Sequence, residues 1–359
     1  MGTPTDKTLH VGRVIRLAGA FCAFCIGSGF ASGQEVLQFF TSHGLYSFGA
    51  LAICLVLFMW FGSTIMAAGH RLRLASSSDI FSYYCGPLLG RVFEFVVPLF
   101  LFCVFVIMVS GSGAMLEQHY QMPRAVGAGI MAVVATLTVA FGLNRLVQVI
   151  GLIGPVIIAL SILVGVLGIL NGTVGFEGVE AATAGLNLPK AADNWALSGL
   201  LYAAFMVFGS APFFAAMGTE APTRRDALFG GLTGGFFLIV AATIMSTGML
   251  CNIATVYDKQ LPALAMAGGT SALLGNGFAV VLFCGIYTTA APMLWSVCNR
   301  IFQDGTPRFR LCAVVLGILA FFCGMLPFGT LVGTVYPYTG YLGLLFMLLV
   351  AFGQLVRKK

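Results

Sequence analysis

The chain has 359 residues, with 18 Lys or Arg and 12 Asp or Glu, so that 8% are charged and 59% are apolar. Soluble domains are about one-quarter charged, and no folded soluble chain of this size hides so much apolar surface. A soluble enzyme, a disordered chain, a secreted disulfide scaffold and a nucleic-acid binder are excluded, which leaves an all-α polytopic membrane protein.

A helix crosses the hydrocarbon core with about 20 apolar residues. By that ruler the sequence predicts ten spans, at approximately 14–40, 46–70, 90–116, 123–142, 146–171, 195–220, 226–251, 274–302, 309–326 and 329–354. They divide the chain into a tail (1–12), a five-helix half (13–171), a connection (172–194), a second five-helix half (195–354) and a basic tail (355–359). Residues 255–270 are too mixed to span and read as an external hairpin or re-entrant cap.

With the N-terminus in the cytoplasm, fifteen of the 18 basic residues fall inside and only Arg124, Lys190 and Lys259 outside. That bias follows the positive-inside rule, and a missed span would scramble it. Both termini are therefore expected in the cytoplasm, and the net charge of +6 reports orientation. Cys22 and Cys25 form a CxxC inside the first span. No cation stands nearby in sequence to stabilise a thiolate, so packing is the expected role. No spacing in the sequence suits a bound metal cofactor.

Two spans carry internal break signals. Span 1 reads Ile26-Gly27-Ser28-Gly29-Phe30-Ala31-Ser32-Gly33, and span 6 reads Phe208-Gly209-Ser210-Ala211-Pro212. The Gly-Ser pairs lie 182 residues apart, and the same offset carries the end of span 5 onto the end of span 10. With an odd number of spans in each half, this predicts an inverted five-plus-five repeat with spans 1 and 6 broken at mid-membrane. Glycine and proline weaken helix interiors, and unwound backbone at that depth survives only around a site that satisfies it. The alternative is that Gly-x-Gly is a close-packing surface for a neighbouring helix.

The string GSGFASGQEVLQFF (Gly27 to Phe40) resembles the signature of the YkvI family of bacterial membrane proteins. That family is similar to the amino acid–polyamine–organocation superfamily, with its LeuT-like fold. The resemblance implies a sodium site between the carbonyls of Ala23 and Ile26 and the pattern Gly285, Thr288 and Thr289 in span 8. The two threonines could instead bond back to their own helix. Proton-coupled relatives place a lysine in span 5, and residues 147–170 hold no ionisable side chain. The resemblance also implies a substrate site at the backbone of Gly27, Ser28 and Gly29 and of Gly209, Ser210 and Ala211. Its walls would be Phe24, Phe205, Phe208 and Tyr287, with span 3 contributing around residues 105–110.

Glu35 is an acid in the outer half of span 1, a candidate proton carrier, gate residue or structural partner. Glu94 and Glu220 sit near span ends and are expected to pair with Arg91, Arg224 or Arg225. Paired membrane aspartates, a serine with a base and an HExxH pattern are all missing from the sequence, so an enzyme is not expected. The expected function is secondary transport of a small amino acid, amine or zwitterion across a bacterial inner membrane. Sodium is the expected coupling ion and no organic cofactor is implied. Proton coupling through Glu35, or a ligand sensor on a transporter fold, are the alternatives.

Overall fold

The computed structural model describes residues 9–74, 76–141 and 146–357. Lys7, Arg145, Lys358 and Lys359, four of the charges behind the orientation argument, lie outside the described residues, as do the outer parts of both expected tails.

The chain is helical throughout. The first span is segmented into α1 (Val11–Cys25), α2 (Ser28–Ser32) and α3 (Gln34–Phe39). A short 3-10 turn leads into α4 (Ser47–Leu72), followed by α5 (Asp79–Tyr120), α6 (Arg124–Phe141) and α7 (Leu146–Leu170). The connection holds the short α8 (Val179–Thr183). The second half comprises α9 (Trp195–Glu220), α10 (Arg224–Leu250), the paired short helices α11 (Ile253–Val256) and α12 (Pro262–Thr270), α13 (Ala272–Ile301), α14 (Pro307–Cys323) and α15 (Phe328–Arg357). Among the described residues eight helices are long and apolar enough to cross a membrane. The other two expected spans correspond to the segmented α1–α3 run and to α14, which has 17 residues. The expected cap at 255–270 is the α11–α12 pair.

Local sequence explains the ends. Asn194, Thr223, Ser271 and Thr306 each accept a backbone N–H at the start of α9, α10, α13 and α14, the usual work of an N-cap side chain. In α10 the residue three beyond the cap, Asp226, is fully buried and also receives the backbone N–H of His10 at 2.8 Å. The chain just ahead of α1 is thereby tied to the start of α10. Helix α5 changes direction at Gly86, whose φ of +77° suits glycine, and Pro87 opens the longer segment that follows. Glu94 pairs with Arg300 of α13 at 3.5 Å rather than with the neighbouring Arg91 expected from sequence.

Helix α4 is the hub: it packs along α9 on one side and α10 on the other, while α1 lies on α10, α15 on α9 and α13 on α5. Lipid tails are as apolar as the side chains, so this packing relies on close fit rather than on the hydrophobic effect. The α4–α9 seam shows how close. A Cβ at Gly69 would fall on the Ala215 carbonyl, and one at Gly218 on the Met66 carbonyl.

One correction concerns the second expected break. Helix α9 runs without interruption through Gly209-Ser210-Ala211-Pro212. The Ser210 hydroxyl donates to the Met206 carbonyl one turn back, and Pro212 leaves the Phe208 carbonyl without its helical N–H while the helix continues. Gly209 serves as a notch, since a Cβ there would stand 2.9 Å from the Phe100 ring.

The seam predicts opposite signs for one chemical change. Gly218→Ala is expected to destabilise by about 1–3 kcal/mol through overpacking. Gly277→Ala in α13, with open space around it, should stabilise by up to ~1 kcal/mol through helix propensity. Thermal unfolding of the two variants in one detergent checks the pair.

Candidate functional site: a cavity at the break in the first span

The gap between α1 and α2 is where the fold leaves room. Helix α1 stops at Cys25; the Ile26 N–H still reaches the Cys22 carbonyl at 2.7 Å, but Ile26 then turns to ψ 66° and Gly27 is extended. The carbonyls of the last turn, Ala23 to Cys25, lie beyond the helical ladder, as at any helix end. A second interruption follows at Gly33, where φ is +86° and a Cβ would stand 2.8 Å from the Ala263 backbone nitrogen. Only glycine combines that backbone angle with that approach.

Around this broken run lies a cavity of about 610 Å³, within the usual range for a small-molecule site. From α1 and α2 it is lined by Ala23, Phe24, Ile26, Gly27, Ser28 and Gly29. Helix α9 contributes Phe205, Gly209 and Ser210, and α13 contributes Gly285, Thr288 and Thr289. Most of the residues singled out from sequence are therefore brought together around one space.

Three are not. Tyr287 is two residues from Gly285, about 200° around an α-helix, and its hydroxyl bonds Thr138 of α6 at 2.6 Å. Phe208 is fully buried among Phe81, Phe93 and Phe346. Ala211 is also fully buried, about 170° around α9 from the centre of the lining face. Conversely, the sequence reading did not select Phe100, Met206, Phe213 and Tyr336, which also line the cavity. Phe213 stacks on Phe24 at 4.2 Å, and Tyr336 stacks on Phe205 at 4.6 Å. Met108, within the stretch of span 3 expected to contribute, receives the Ser28 hydroxyl proton.

The expected cation ligands are arranged as follows. Thr288 and Thr289 both donate to the Gly285 carbonyl, at 2.9 and 3.1 Å. The hydroxyl protons are thus used within α13, and each oxygen keeps acceptor capacity. Thr289 Oγ1 stands 3.9 Å from a Cβ placed on Gly27, so α13 meets the break directly. Pro292, one turn on and also in the lining, has no N–H for the Thr288 carbonyl.

The two ends of the cavity differ. At the α1 end, Gly19, Ala23 and Phe24 are exposed at the protein surface. At the other end every residue from Ser28 to Ser42 is buried. There Glu35, 4% exposed, lines the cavity with its Oε2 lacking any hydrogen-bond partner. Its carboxyl occupies the space that a Cβ on Gly29 would fill.

Beyond Glu35 a lattice of amides closes the structure. Gln38 donates to the Gly329 carbonyl at 2.7 Å, Gly329 N–H donates to Gln260 at 2.9 Å, and Gln118 exchanges two hydrogen bonds with the backbone of Leu261. With its amide turned to the satisfied orientation, Gln34 accepts from Gln38 at 2.7 Å and donates to the carbonyls of Lys259 and Gln260. These glutamines pin α3, the 257–261 turn and the start of α15 to one another. Their signal in the sequence is the cost of burying an amide without a partner.

Gln260→Ala leaves the Gly329 N–H unpaired in a part-buried position, at a cost of about 1–3 kcal/mol. Hydrogen exchange should accelerate in the first turns of α15 and in α11–α12, with the α4–α9 seam unchanged.

Among curated proteins, the chain is similar to the membrane protein YkvI of Bacillus subtilis, 23% identical over 350 residues that cover 97% of this chain and 96% of that one. It is also similar to YyaD of the same organism, 22% identical over 320 residues, 89% and 90% of the two chains. No family model matches the chain. Among solved structures, the manganese transporter of Eremococcus coleocola in complex with an aromatic bis-isothiourea compound superposes with a TM-score of 0.61 at 12% identity, over 96% of this chain and 79% of that one. A mutant form of the same transporter gives 0.58 over 97% and 78%. The likeness to YkvI thus extends from the first-span string to nearly the whole length, and the fold is one that a membrane transporter also uses.

Proposed function

We propose that the chain is a secondary active transporter of a small organic solute, an amino acid or a related amine, driven by sodium through alternating access. The observation that carries this reading is a cavity beside a broken membrane helix, exposed at one end and sealed at the other. An open pore would not need the amide lattice, and a purely structural void would not hold an unpartnered carboxyl.

Helix pairing supports the inverted repeat of a LeuT-like fold. Under the 182-residue offset, the α1–α10 contact corresponds to the α9–α4 contact, and both are extensive. The α9–α15 contact corresponds to α1–α7, yet α9 and α15 pack along their length while α1 and α7 barely touch. Where that match is sparse the cavity intervenes, lined by Gly19, Ala20 and Ala23 of α1 and by Gly154 and Pro155 of α7, and the two helices approach at Gly154, where a Cβ would stand 3.9 Å from Ala23. In the alternate state α1 closes on α7 and the glutamine lattice parts. With both termini in the cytoplasm, the conformation described above faces inward, in a bacterial inner membrane.

The manganese named for the structural neighbours fits this cavity poorly. Among the described residues no group of three or more His, Cys, Asp or Glu could hold a metal ion, and Glu35 is the one carboxylate in the lining. Sodium asks less, since a hard monovalent cation suits carbonyl and hydroxyl oxygens. Thr288, Thr289 and the carbonyls of Ala23 and Ile26 are the proposed ligands. Proton coupling through Glu35 is the second reading, favoured by its unpartnered Oε2.

Reconstituted protein should accumulate labelled solute from an amino acid and amine panel under an inward sodium gradient. Replacing Thr288 and Thr289 together with Ala should lower that accumulation at least tenfold while the protein still elutes as a single folded species. Accumulation driven by a proton gradient, indifferent to sodium and abolished by Glu35→Gln, replaces the sodium reading with the proton one.

A further inference from the structure

Resting on the reading of the cavity as a transport site, we propose that Glu35 is the receptor for a substrate ammonium group. The solute is then an organic monocation with an apolar body rather than an anion. Features of the sealed end converge on this. The carboxyl is 4% exposed and its Oε2 has no partner among the described residues. Such a group is costly at membrane depth and gains most from a cation brought in by the ligand. Neighbouring side chains offer none: among the described residues, no Lys, Arg or His lines the cavity.

The surroundings suit an amine. Tyr336 and Phe205 stack at 4.6 Å, and Phe100 meets Tyr336 at 6.5 Å, so aromatic rings flank the approach to Glu35. Aromatic rings tolerate and attract ammonium groups. Elsewhere in the lining, Val104, Met108, Ile157 and Met206 offer apolar contact for the rest of the solute. Gly29 fits the same design, because any larger residue would push the carboxyl away from its position.

A carboxylate-bearing solute lacks a matching cation at this end and meets the Glu35 carboxyl instead. The site therefore selects by charge at its blind end and by shape along its walls. Sodium is assigned to the α13 hydroxyls one turn from Pro292, so the amine and the coupling ion occupy separate places.

The test uses the full-length protein in detergent micelles, with binding read by thermal shift and calorimetry. The probes are butylammonium, phenethylammonium, the neutral phenylpropanol and the anionic phenylpropionate. Phenethylammonium is expected to bind at least tenfold more tightly than phenylpropanol, with phenylpropionate weakest, and Glu35→Gln should erase the preference. The wild-type ratio needs no variant: if phenylpropanol or phenylpropionate binds as tightly as the ammonium, or if neither ammonium binds at all, the proposal is overturned. A preference that survives Glu35→Gln also overturns it. Glu35-dependent ammonium binding without accumulation in liposomes supports the amine site and removes the transport reading. Accumulation of a non-amine solute untouched by Glu35→Gln does the reverse.

Discussion

A hydrocarbon environment obliges every backbone N–H and C=O to find its partner inside the protein, and the first span is where this chain departs from the simplest way of doing so. Between Cys25 and Ser28 the helix ladder stops, and at Gly33 it stops again. Everything notable about the structure is arranged around that interruption. Helix α13 brings Thr289 against Gly27, α9 contributes its notch at Gly209, and α5 receives the Ser28 hydroxyl proton at Met108. The break persists because surrounding helices and a cavity absorb its polar groups, whereas the same chemistry facing lipid would close into a helix.

The two sides of the break are built from different materials. Towards Glu35 the closure is polar and specific: glutamine amides trade hydrogen bonds with backbone groups of the 257–261 turn and α15. Towards the mouth the facing surfaces are small, Gly19, Ala20 and Ala23 against Gly154 and Pro155. Small residues let helices approach closely with little cost in side-chain order. In the proposed transport cycle, hydrogen bonds hold one closed state and close-fitting glycine and alanine hold the other.

Much of this was legible before any coordinates. The apolar runs placed the spans to within a few residues, because a span is a long signal, except that α5 begins at Asp79, well before the expected residue 90, in a first segment set off by the kink at Gly86. The break in span 1 was legible from three glycines in seven residues, whereas the threonine pair that lines the cavity came from the family resemblance. Span 6 misled because Gly-Ser-Ala-Pro has two physical uses. In α9 the helix is continuous, the serine hydroxyl bonds back to Met206 within it, and the glycine admits Phe100. Phe208, Ala211 and Tyr287 were misread for a simpler reason: neighbours in sequence face opposite sides of a helix, and only the phase of the whole helix decides which side meets the cavity. Tyr336 and the four-glutamine lattice depend on contacts between residues 69 to 291 apart in sequence, which no local pattern encodes.

The central claim is that the gap between α1 and α7 is one of two states. It is tested most directly by the distance between spin labels carried on non-canonical residues at Ile15 in α1 and Val156 in α7, both exposed positions, which leaves the ten native cysteines untouched. Measured in bilayer discs, the distances should form two populations, and sodium with phenethylammonium should change their ratio. One population, unchanged by sodium, by the amine or by both together, would contradict the account.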